Sequence, residues 1–321
     1  MSTEIQQLVE KSNYWGSQWQ HIQGPGGNFS VKTGNDLWIK SSGVLLKEVS
    51  ENYGITKCEI QPALDFQFNS VVGVPSAKEE TQYVDLITEM MCEGEKLRPS
   101  MESAFHALLK EKWVFHTHSA GFSVLAAFGE EKILDLAQTY REVDFVFISQ
   151  CLPGYDLARR IQIELKKDLT KNIKCIVLQN HGVIWAGDDL TTLDIMMKKV
   201  ESDLSSKFSL EQYPLPEEIE GGLDFKSWSQ FHFSKEAIFP DYALFFGLLN
   251  ENQTDGTKVF YHKSVRKDKM EDAKEICSLQ ALLCTLMQEE FGEIKSMTSE
   301  LQQKVADMEI EKLRMQQIGG V

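Results

Sequence analysis

Apolar residues in the first part of the chain alternate between helical spacing and strand spacing. Ile5 and Leu8 mark a first helix that is predicted to run to about Trp19. Segments 29–32 and 36–40 are predicted to be antiparallel strands joined by a short turn. Downstream, predicted helices cover 78–91, 99–111, 120–128, 131–140, 155–165 and 190–213, and predicted strands cover 113–118, 144–149, 174–179 and 182–186. This pattern predicts an α/β protein with a mixed sheet covered by helices.

The pattern changes after residue 213. Two prolines and an acidic stretch at 214–222 predict a linker into a C-terminal segment. Within that segment, 239–249 and 256–263 are predicted strands, and 269–291 and 298–315 are predicted helices. We therefore expect one domain over residues 1–213 and a smaller α+β extension of unknown role over 214–321.

Composition excludes several function classes. The chain has 321 residues, of which 42% are hydrophobic, so it can bury a sizeable core. Its 48 acidic and 33 basic residues give a formal net charge of -15, which disfavours nucleic acid and anionic membranes as partners. The chain carries no signal-peptide pattern and no stretch with the apolar length of a membrane span. We expect a cytoplasmic protein, with its six cysteines reduced and mostly in the core.

Three histidines have the spacing of a metal site. His116 and His118 are alternate residues of a predicted strand, so their imidazoles project from the same face. His181 follows another apolar strand in the loop Asn-His-Gly, where Gly182 permits a close turn. Three neutral imidazoles suit zinc and leave one coordination position open for substrate or water. We therefore predict a divalent metal site, with zinc as the expected ion and another divalent metal as the alternative.

The alternative interpretation is that these are core histidines satisfied by hydrogen bonds, because His-x-His pairs also occur by chance. The other histidines lack the spacing of a metal site. His21 and His262 are expected to be exposed, and His106 and His232 to lie in the core or beside the site.

Glu102 is the candidate acid/base. It begins a predicted helix just before the histidine strand, and it lies four residues before His106 on the same helical face. Partial burial would raise its pKa towards neutrality and suit it to proton transfer. Alternatively, it is a first-turn glutamate that the helix dipole favours.

The glycine-rich loop at 24–28 offers backbone N–H groups that suit a phosphate or another oxyanion. The Ser-Ser-Gly stretch at 41–43 and Ser100 would add hydroxyl and amide donors. The alternative interpretation is that this glycine-rich stretch is only a turn.

Taken in order, GGNFSVK, WIKSSG, PSMES, VFHTHS and NHGVIWAGD resemble the class II aldolase and adducin head family, which includes zinc-dependent fuculose- and rhamnulose-phosphate aldolases. The resemblance implies a three-layer α/β/α sandwich with a mostly antiparallel central sheet, and a homotetramer. It also implies that residues 1–213 form a metal-binding catalytic domain, with Glu102 as the catalytic acid/base and Zn²⁺ held by His116, His118 and His181. The positions that match phosphate-binding ones are Gly27, Asn28, Ser42, Gly43 and Ser100.

Two parts of the resemblance are looser. Met101 stands where phosphate-binding relatives often have a second serine, which would weaken a phosphate grip or indicate a substrate without phosphate. The C-terminal segment looks like the extension of longer members related to rhamnulose-phosphate aldolase domains.

The activity implied by the resemblance is retro-aldol cleavage of a ketose, expected to be a ketose 1-phosphate, through a metal-stabilised enediolate. Alternatives within the family are a pentulose-phosphate 4-epimerase and a sugar-phosphate dehydratase. A non-catalytic adducin-like interaction module is an alternative of another class, although the histidines and Glu102 argue against it. A cupin-like oxygenase would carry its glutamate after the His-x-His pair, whereas here the glutamate precedes it.

Overall fold

The computed structural model describes residues 3–71, 73–167, 169–234, 236–246, 253–261 and 269–308. Its main feature is a seven-stranded sheet with the strand order β3-β2-β1-β4-β7-β6-β5. The strands are β1 Asn28–Thr33, β2 Asp36–Lys40, β3 Ile55–Glu59, β4 Trp113–Thr117, β5 Val143–Ile148, β6 Ile173–Leu178 and β7 Gly182–Gly187.

The sheet is mostly antiparallel. Only β5 and β6 pair in parallel, whereas the other five neighbouring pairs of this sheet are antiparallel. In the register of β4, His116 lies opposite Asn28 of β1 and Ile184 of β7. Directly opposed residues share a face of the sheet, so this register places Asn28 beside His116.

Eight α-helices accompany this sheet in the described part of the chain up to Lys207. They are α1 Thr3–Gly16, α2 Gln61–Asp65, α3 Ala77–Met90, α4 Ser103–Leu108, α5 Ala120–Ala127, α6 Glu130–Thr139, α7 Tyr155–Glu164 and α8 Leu190–Lys207. Helices α1, α5, α6 and α8 form one set that packs on the sheet, and α2, α3, α4 and α7 form the other. The structure confirms the expected fold class, a sandwich of helices around a mostly antiparallel sheet.

The core lies where β4 and its neighbours are covered on both faces. All five residues of β4 and all six of β7 are buried, so these central strands are apolar almost throughout. Phe29 and Phe115 stack with their ring centroids 4.2 Å apart. Because this packing fixes the end of β4, it also fixes the backbone that carries His116.

The C-terminal segment contains a second, four-stranded sheet and three helices in its described part. These elements are β8 Glu217–Ile219, β9 Gly222–Asp224, α9 Pro240–Phe246, β10 Gln253–Asp255, β11 Lys258–Phe260, α10 Met270–Phe291 and α11 Ser299–Asp307. Helix α10 confirms the helix expected at 269–291. Strand β11 and helix α11 confirm parts of the strand expected at 256–263 and of the helix expected at 298–315, of which 262–263 and 309–315 lie outside the described residues.

Two expectations for this segment were wrong. The stretch predicted as a linker forms β8 and the start of β9, which pair as a hairpin. Residues 239–249 are predicted as a strand, but 240–246 are helical, and 247–249 lie outside the described residues. Pro240 at the first helical position and Asp241 in the first turn favour a helix start.

The C-terminal segment packs directly on the main sheet and its helices. Helix α10 contacts α5, which begins just after His118. The Glu275 side chain of α10 accepts a hydrogen bond of 2.7 Å from the backbone N–H of Gly24. Glu275 also forms a 2.8 Å ion pair with Lys47. The segment therefore forms part of the wall around the candidate site, whereas its boundary as a separate domain stays a prediction.

Among the described helices, none combines the length and apolar character needed to cross a membrane. The six cysteines are unpaired, and five of them are buried, as expected.

Candidate metal centre

The local backbone brings the three predicted histidines together. His116 is on β4, His118 follows at the end of that strand, and His181 lies in the tight turn between β6 and β7. Asn180 opens this turn in a left-handed conformation, with φ of 56°. A Cβ on Gly182 would lie 2.2 Å from the Thr117 carbonyl oxygen, so only glycine allows the turn to approach β4 this closely.

The three imidazoles face one another. One ring nitrogen from each of His116, His118 and His181 lies within 4.8 Å of the others. The Nε2 atoms of His116 and His118 are 3.2 Å apart. All three side chains are buried, with residue exposures of 0%, 3% and 5%. The predicted histidine cluster is therefore present as a compact group.

Neighbouring acceptors indicate which nitrogens carry protons. His116 Nδ1 lies 3.1 Å from the Val183 carbonyl oxygen, which can only accept, so this nitrogen donates. His118 Nδ1 lies 3.0 Å from Asp241 Oδ2, at ion-pair distance although outside ideal hydrogen-bond alignment. The assigned tautomers leave both Nε2 lone pairs aimed at each other. With the two Nε2 atoms 3.2 Å apart, their lone pairs repel each other. A divalent cation bound by both nitrogens would remove this repulsion, so the residues present fit a metal ion.

Burial keeps two of the three imidazoles neutral. Burial lowers the pKa of His116 to about 4, even though Glu102 acts in the opposite direction. Burial likewise lowers the pKa of His181 to about 3. Since metal ions bind the neutral imidazole, these two side chains are ready for coordination at neutral pH without losing a proton.

Glu102 lies beside this cluster. It immediately precedes α4, and it is 5% exposed. Its Oε2 atom is 3.6 Å from His116 Nε2, and its Oε1 atom is 3.7 Å from His181 Nε2. Asn28 Nδ2 donates a 2.7 Å hydrogen bond to Oε2. The carboxylate is therefore held beside the point on which the imidazoles converge.

The pKa of Glu102 is lower than its usual value, contrary to the expectation from burial alone. Burial does raise this pKa, but the positive charges that His116 and His181 carry once they are protonated in acid, together with the hydrogen bond from Asn28, lower it by more. Glu102 is thus ionised at neutral pH, and it can accept a proton.

A buried hydrogen-bond chain supports Glu102. His106 is fully buried, and its Nε2 atom bonds to Asn28 Oδ1, while its Nδ1 atom lies 2.7 Å from Ser30 Oγ. Because Asn28 donates to Glu102, its amide oxygen is the acceptor for the His106 N–H, and Ser30 donates to the other ring nitrogen. This places His106 beside the site, one of its two predicted locations, and connects it to Glu102 through Asn28.

The expected oxyanion-binding residues line one pocket with Glu102, His118 and His181. They are Gly27, Asn28, Ser42, Gly43 and Ser100. Gly27 has φ of 63°, a left-handed conformation that lets the loop pass close to the His116 carbonyl oxygen. Ser100 Oγ accepts a 3.2 Å hydrogen bond from the Glu102 backbone N–H.

Several of the donors expected for an oxyanion are already engaged. The N–H of Gly26 donates to the Gln23 carbonyl, and that of Ser42 donates to the Arg98 carbonyl. Gly24 donates to Glu275, and the Asn28 amide is used by Glu102 and His106. The loop is thus less open than its glycine content suggests, and hydroxyl groups make up more of the donor set.

Lys40, Pro240 and Asp241 also line the pocket, and sequence reasoning missed all three. Lys40 is buried, and its ammonium donates 2.8 Å hydrogen bonds to the carbonyls of Pro25 and Val44. It thereby ties the glycine-rich loop to the stretch after Gly43. A lysine that ends an apolar strand was the available signal for Lys40, whereas no local pattern marks Asp241.

The other histidines differ in outcome. His21 was expected to be exposed, but it is buried, because the chain turns inward at this point and stacks it edge-on against Trp15. His232 is partly exposed, and His262 lies outside the described residues.

Comparisons with known proteins agree with this geometry. A family model described as "Class II Aldolase and Adducin N-terminal domain" matches residues 6–202. The "Uncharacterized oxidoreductase YuxG" of Bacillus subtilis (strain 168) is 26% identical over 200 residues, which are 59% of this chain and 27% of that protein. The chain thus spans about a quarter of the length of this relative.

The fold also resembles solved structures. The N-terminal class II aldolase domain of a conserved protein from Thermoplasma acidophilum has a TM-score of 0.50 and 24% identity, over 64% of this chain and 94% of that one. L-fuculose-1-phosphate aldolase from Thermus thermophilus matches with a TM-score of 0.40 and 15% identity, over 65% and 95% of the two chains. Since the family model covers more than half of the sequence, this protein belongs to the class II aldolase and adducin N-terminal domain family.

Proposed function

We propose that this protein is a zinc-dependent aldolase that cleaves a ketose, with a ketose 1-phosphate as the first candidate substrate. The observation that carries the proposal is the convergence of three buried imidazoles beside the ionised carboxylate of Glu102. Membership of the class II aldolase and adducin family supports an enzyme of this class.

His116, His118 and His181 would hold the ion. When bound, a divalent cation polarises a ketone and balances the charge that develops on its oxygen. Ser42, Gly43 and Ser100 would orient the far end of the substrate in the same pocket.

Glu102 would carry the proton transfer. In the condensation direction, the carboxylate accepts a proton from the carbon next to the ketone, that carbon attacks an aldehyde, and the aldehyde oxygen takes up the proton as it becomes a hydroxyl. In the cleavage direction, the carboxylate accepts the proton of the hydroxyl on the fourth carbon, the bond between the third and fourth carbons breaks with its electron pair left on the third carbon, the aldehyde leaves, and Glu102 gives the proton to the third carbon. The lowered pKa of Glu102 favours the carboxylate form that condensation requires.

The most direct test is proton exchange, because it needs no aldehyde partner. The zinc-loaded protein is incubated in D₂O with dihydroxyacetone phosphate or with dihydroxyacetone, and loss of the carbon-bound proton signal is followed by NMR. We expect exchange with the loaded protein and none with the metal-stripped protein. Failure to exchange either ketone would contradict the proposal.

Product analysis then separates the family alternatives. A panel of ketose phosphates should release dihydroxyacetone phosphate and an aldehyde if the protein is an aldolase. A 4-epimerase would return an isomeric ketose, and a dehydratase would release water without a three-carbon product. A non-catalytic module would bind less than about a tenth of an equivalent of zinc, even after reconstitution.

We also propose a homotetramer in the cytoplasm. The family resemblance supports the assembly, and the reduced, mostly buried cysteines suit that compartment. Light scattering on the purified protein tests the assembly, and a dimer or monomer at micromolar concentration would contradict it.

A further inference from the structure

The C-terminal segment contributes a carboxylate to the metal centre. Asp241 belongs to α9, far beyond β4 in the sequence, yet its Oδ2 atom lies 3.0 Å from His118 Nδ1. Both residues are buried, with exposures of 3% each. Asp241 and Pro240 also line the pocket that holds Glu102 and His181. The segment thus supplies part of the pocket wall as well as a partner for one of the three imidazoles.

The stretch before α9 is held in place by side chains from two other helices. Gln280 of α10 accepts from the Ile238 N–H at 3.1 Å and donates to the Glu236 carbonyl at 2.7 Å. Gln302 of α11 accepts from the Ala237 N–H at 3.2 Å. These amides fix the backbone just upstream of Asp241, so hydrogen bonds within the protein determine where its carboxylate lies.

Helix α10 is in turn attached to the half of the molecule that carries the histidines. Its Glu275 binds the Gly24 N–H at 2.7 Å, and Glu275 is itself buried. A Cβ on Gly24 would lie 3.2 Å from the Asp272 Cβ, which shows how closely the glycine-rich loop approaches α10. The C-terminal segment therefore contacts the site at two places, at the glycine-rich loop and at His118.

We infer that Asp241 is a positioning residue that orients His118 for metal binding, so that the C-terminal segment completes the metal centre. A carboxylate at Nδ1 holds the proton on that nitrogen and directs the Nε2 lone pair towards His116. It also makes Nε2 more basic and thus a better ligand. This inference rests on the proposed metal site, and it assigns part of that site to residues outside the region matched by the family model.

The test compares zinc affinity in four proteins by competition with a chromophoric chelator. They are the wild type, Asp241→Ala, Asp241→Asn and, as the control, Asp224→Asn. Asp224 is a buried carboxylate of the same segment that accepts hydrogen bonds from Lys226 and Thr257, with no histidine in contact among the described residues.

We expect Asp241→Ala to bind zinc about 10–100-fold more weakly than the wild type. Asp241→Asn should lose less zinc affinity than Asp241→Ala, because its amide oxygen can still accept a hydrogen bond from His118 Nδ1. Asp224→Asn should bind zinc with the affinity of the wild type. The metal-free melting temperature separates this effect from a structural one. If both Asp241 variants bound zinc like the wild type, with or without a lower melting temperature, the inference would be wrong.

Two further outcomes are decisive. If the wild type binds zinc and only the control variant loses affinity, the inference fails and the proposed function stands. If the wild type itself binds no zinc, both fail. If Asp241→Ala does not fold, the zinc affinities of Asp241→Asn and Asp224→Asn are compared instead. Weaker binding by Asp241→Asn supports the inference, and equal binding contradicts it.

Discussion

The histidine triad and His106 are all buried, yet they use their ring nitrogens differently. Both nitrogens of His106 are hydrogen-bonded within the protein, one to Asn28 and one to Ser30. His116 instead uses one nitrogen for the Val183 carbonyl and directs the other at His118. Burial therefore does not distinguish a ligand from a structural histidine. The partners of each ring nitrogen do, because a ligand must keep one lone pair for the ion.

The largest expected effect is on zinc binding, and it separates the two kinds of histidine. His118→Ala removes one of three ligands, so we expect the bound zinc to fall below about a tenth of an equivalent. His106→Ala should keep about one equivalent, because His106 coordinates nothing in this scheme. Elemental analysis of the loaded and desalted proteins measures both.

Equal zinc loss in these two variants would show that His118 is no more a metal ligand than His106. Circular dichroism on each variant, compared with the wild type, verifies that a loss of zinc is not a loss of fold.

The next effect concerns the carboxylate that lies between the triad and His106. Glu102→Gln keeps the shape of the side chain but cannot accept a proton. We expect the exchange rate of the ketone proton to fall by about 10²–10⁴-fold while zinc stays bound. Full exchange in this variant, measured by the NMR assay in D₂O, would remove Glu102 from the proposed role.

His106 should act on the same step more weakly, through Asn28. His106→Ala deprives the Asn28 amide oxygen of its donor, so the orientation of the hydrogen bond to Glu102 is less well fixed. Loss of one such bond corresponds to about a tenfold slower exchange. An exchange rate equal to that of the wild type would show that the chain does not position Glu102.

The triad was predictable because His116 and His118 alternate along one strand, and the strand before His181 lies in the same sheet. The alternation of side chains along a strand is enough to place His116 and His118 on one face of the sheet. The carboxylate of Asp241 could not be predicted, because the packing of helices α9, α10 and α11 against one another brings it to the site. The sequence pattern also favoured a strand where Asp241 lies in a helix.

Burial was harder to predict than spacing. His21 is expected to be exposed, yet it is covered by Trp15, and its Nδ1 atom lies 3.5 Å from Glu201 Oε2 of α8. Likewise, the glycine-rich loop was correctly placed at the site, but the hydrogen bonds that engage Gly24 and Gly26 depend on long-range packing or on the exact turn. Such partners are set by tertiary structure rather than by local pattern.

A separate expected effect, on stability rather than on zinc binding or proton exchange, concerns His21 and Glu201, a buried pair that does not line the pocket. Burial lowers the pKa of His21 to about 4 and raises that of Glu201 to about 8, so both are neutral near pH 6. A folded-state pKa above the unfolded value of 4.5 stabilises the fold at low pH, and this contribution is lost as the pH rises from 4.5 through 8.

Glu201→Gln cannot titrate, so it should remove this pH dependence. We expect the variant to exceed the wild type in free energy of unfolding by on the order of 5 kcal/mol at about pH 9, and to differ little at about pH 5. Urea denaturation at the two pH values measures the difference. The same offset at both pH values would contradict the raised pKa of Glu201.

The central claim is that the triad holds a divalent metal in the folded protein. The direct measurement is the zinc content of the purified wild-type chain, after loading with zinc and removal of the excess by gel filtration. We predict about one equivalent of zinc per chain. Less than about a tenth of an equivalent, without any rise on repeated reconstitution, would contradict the claim.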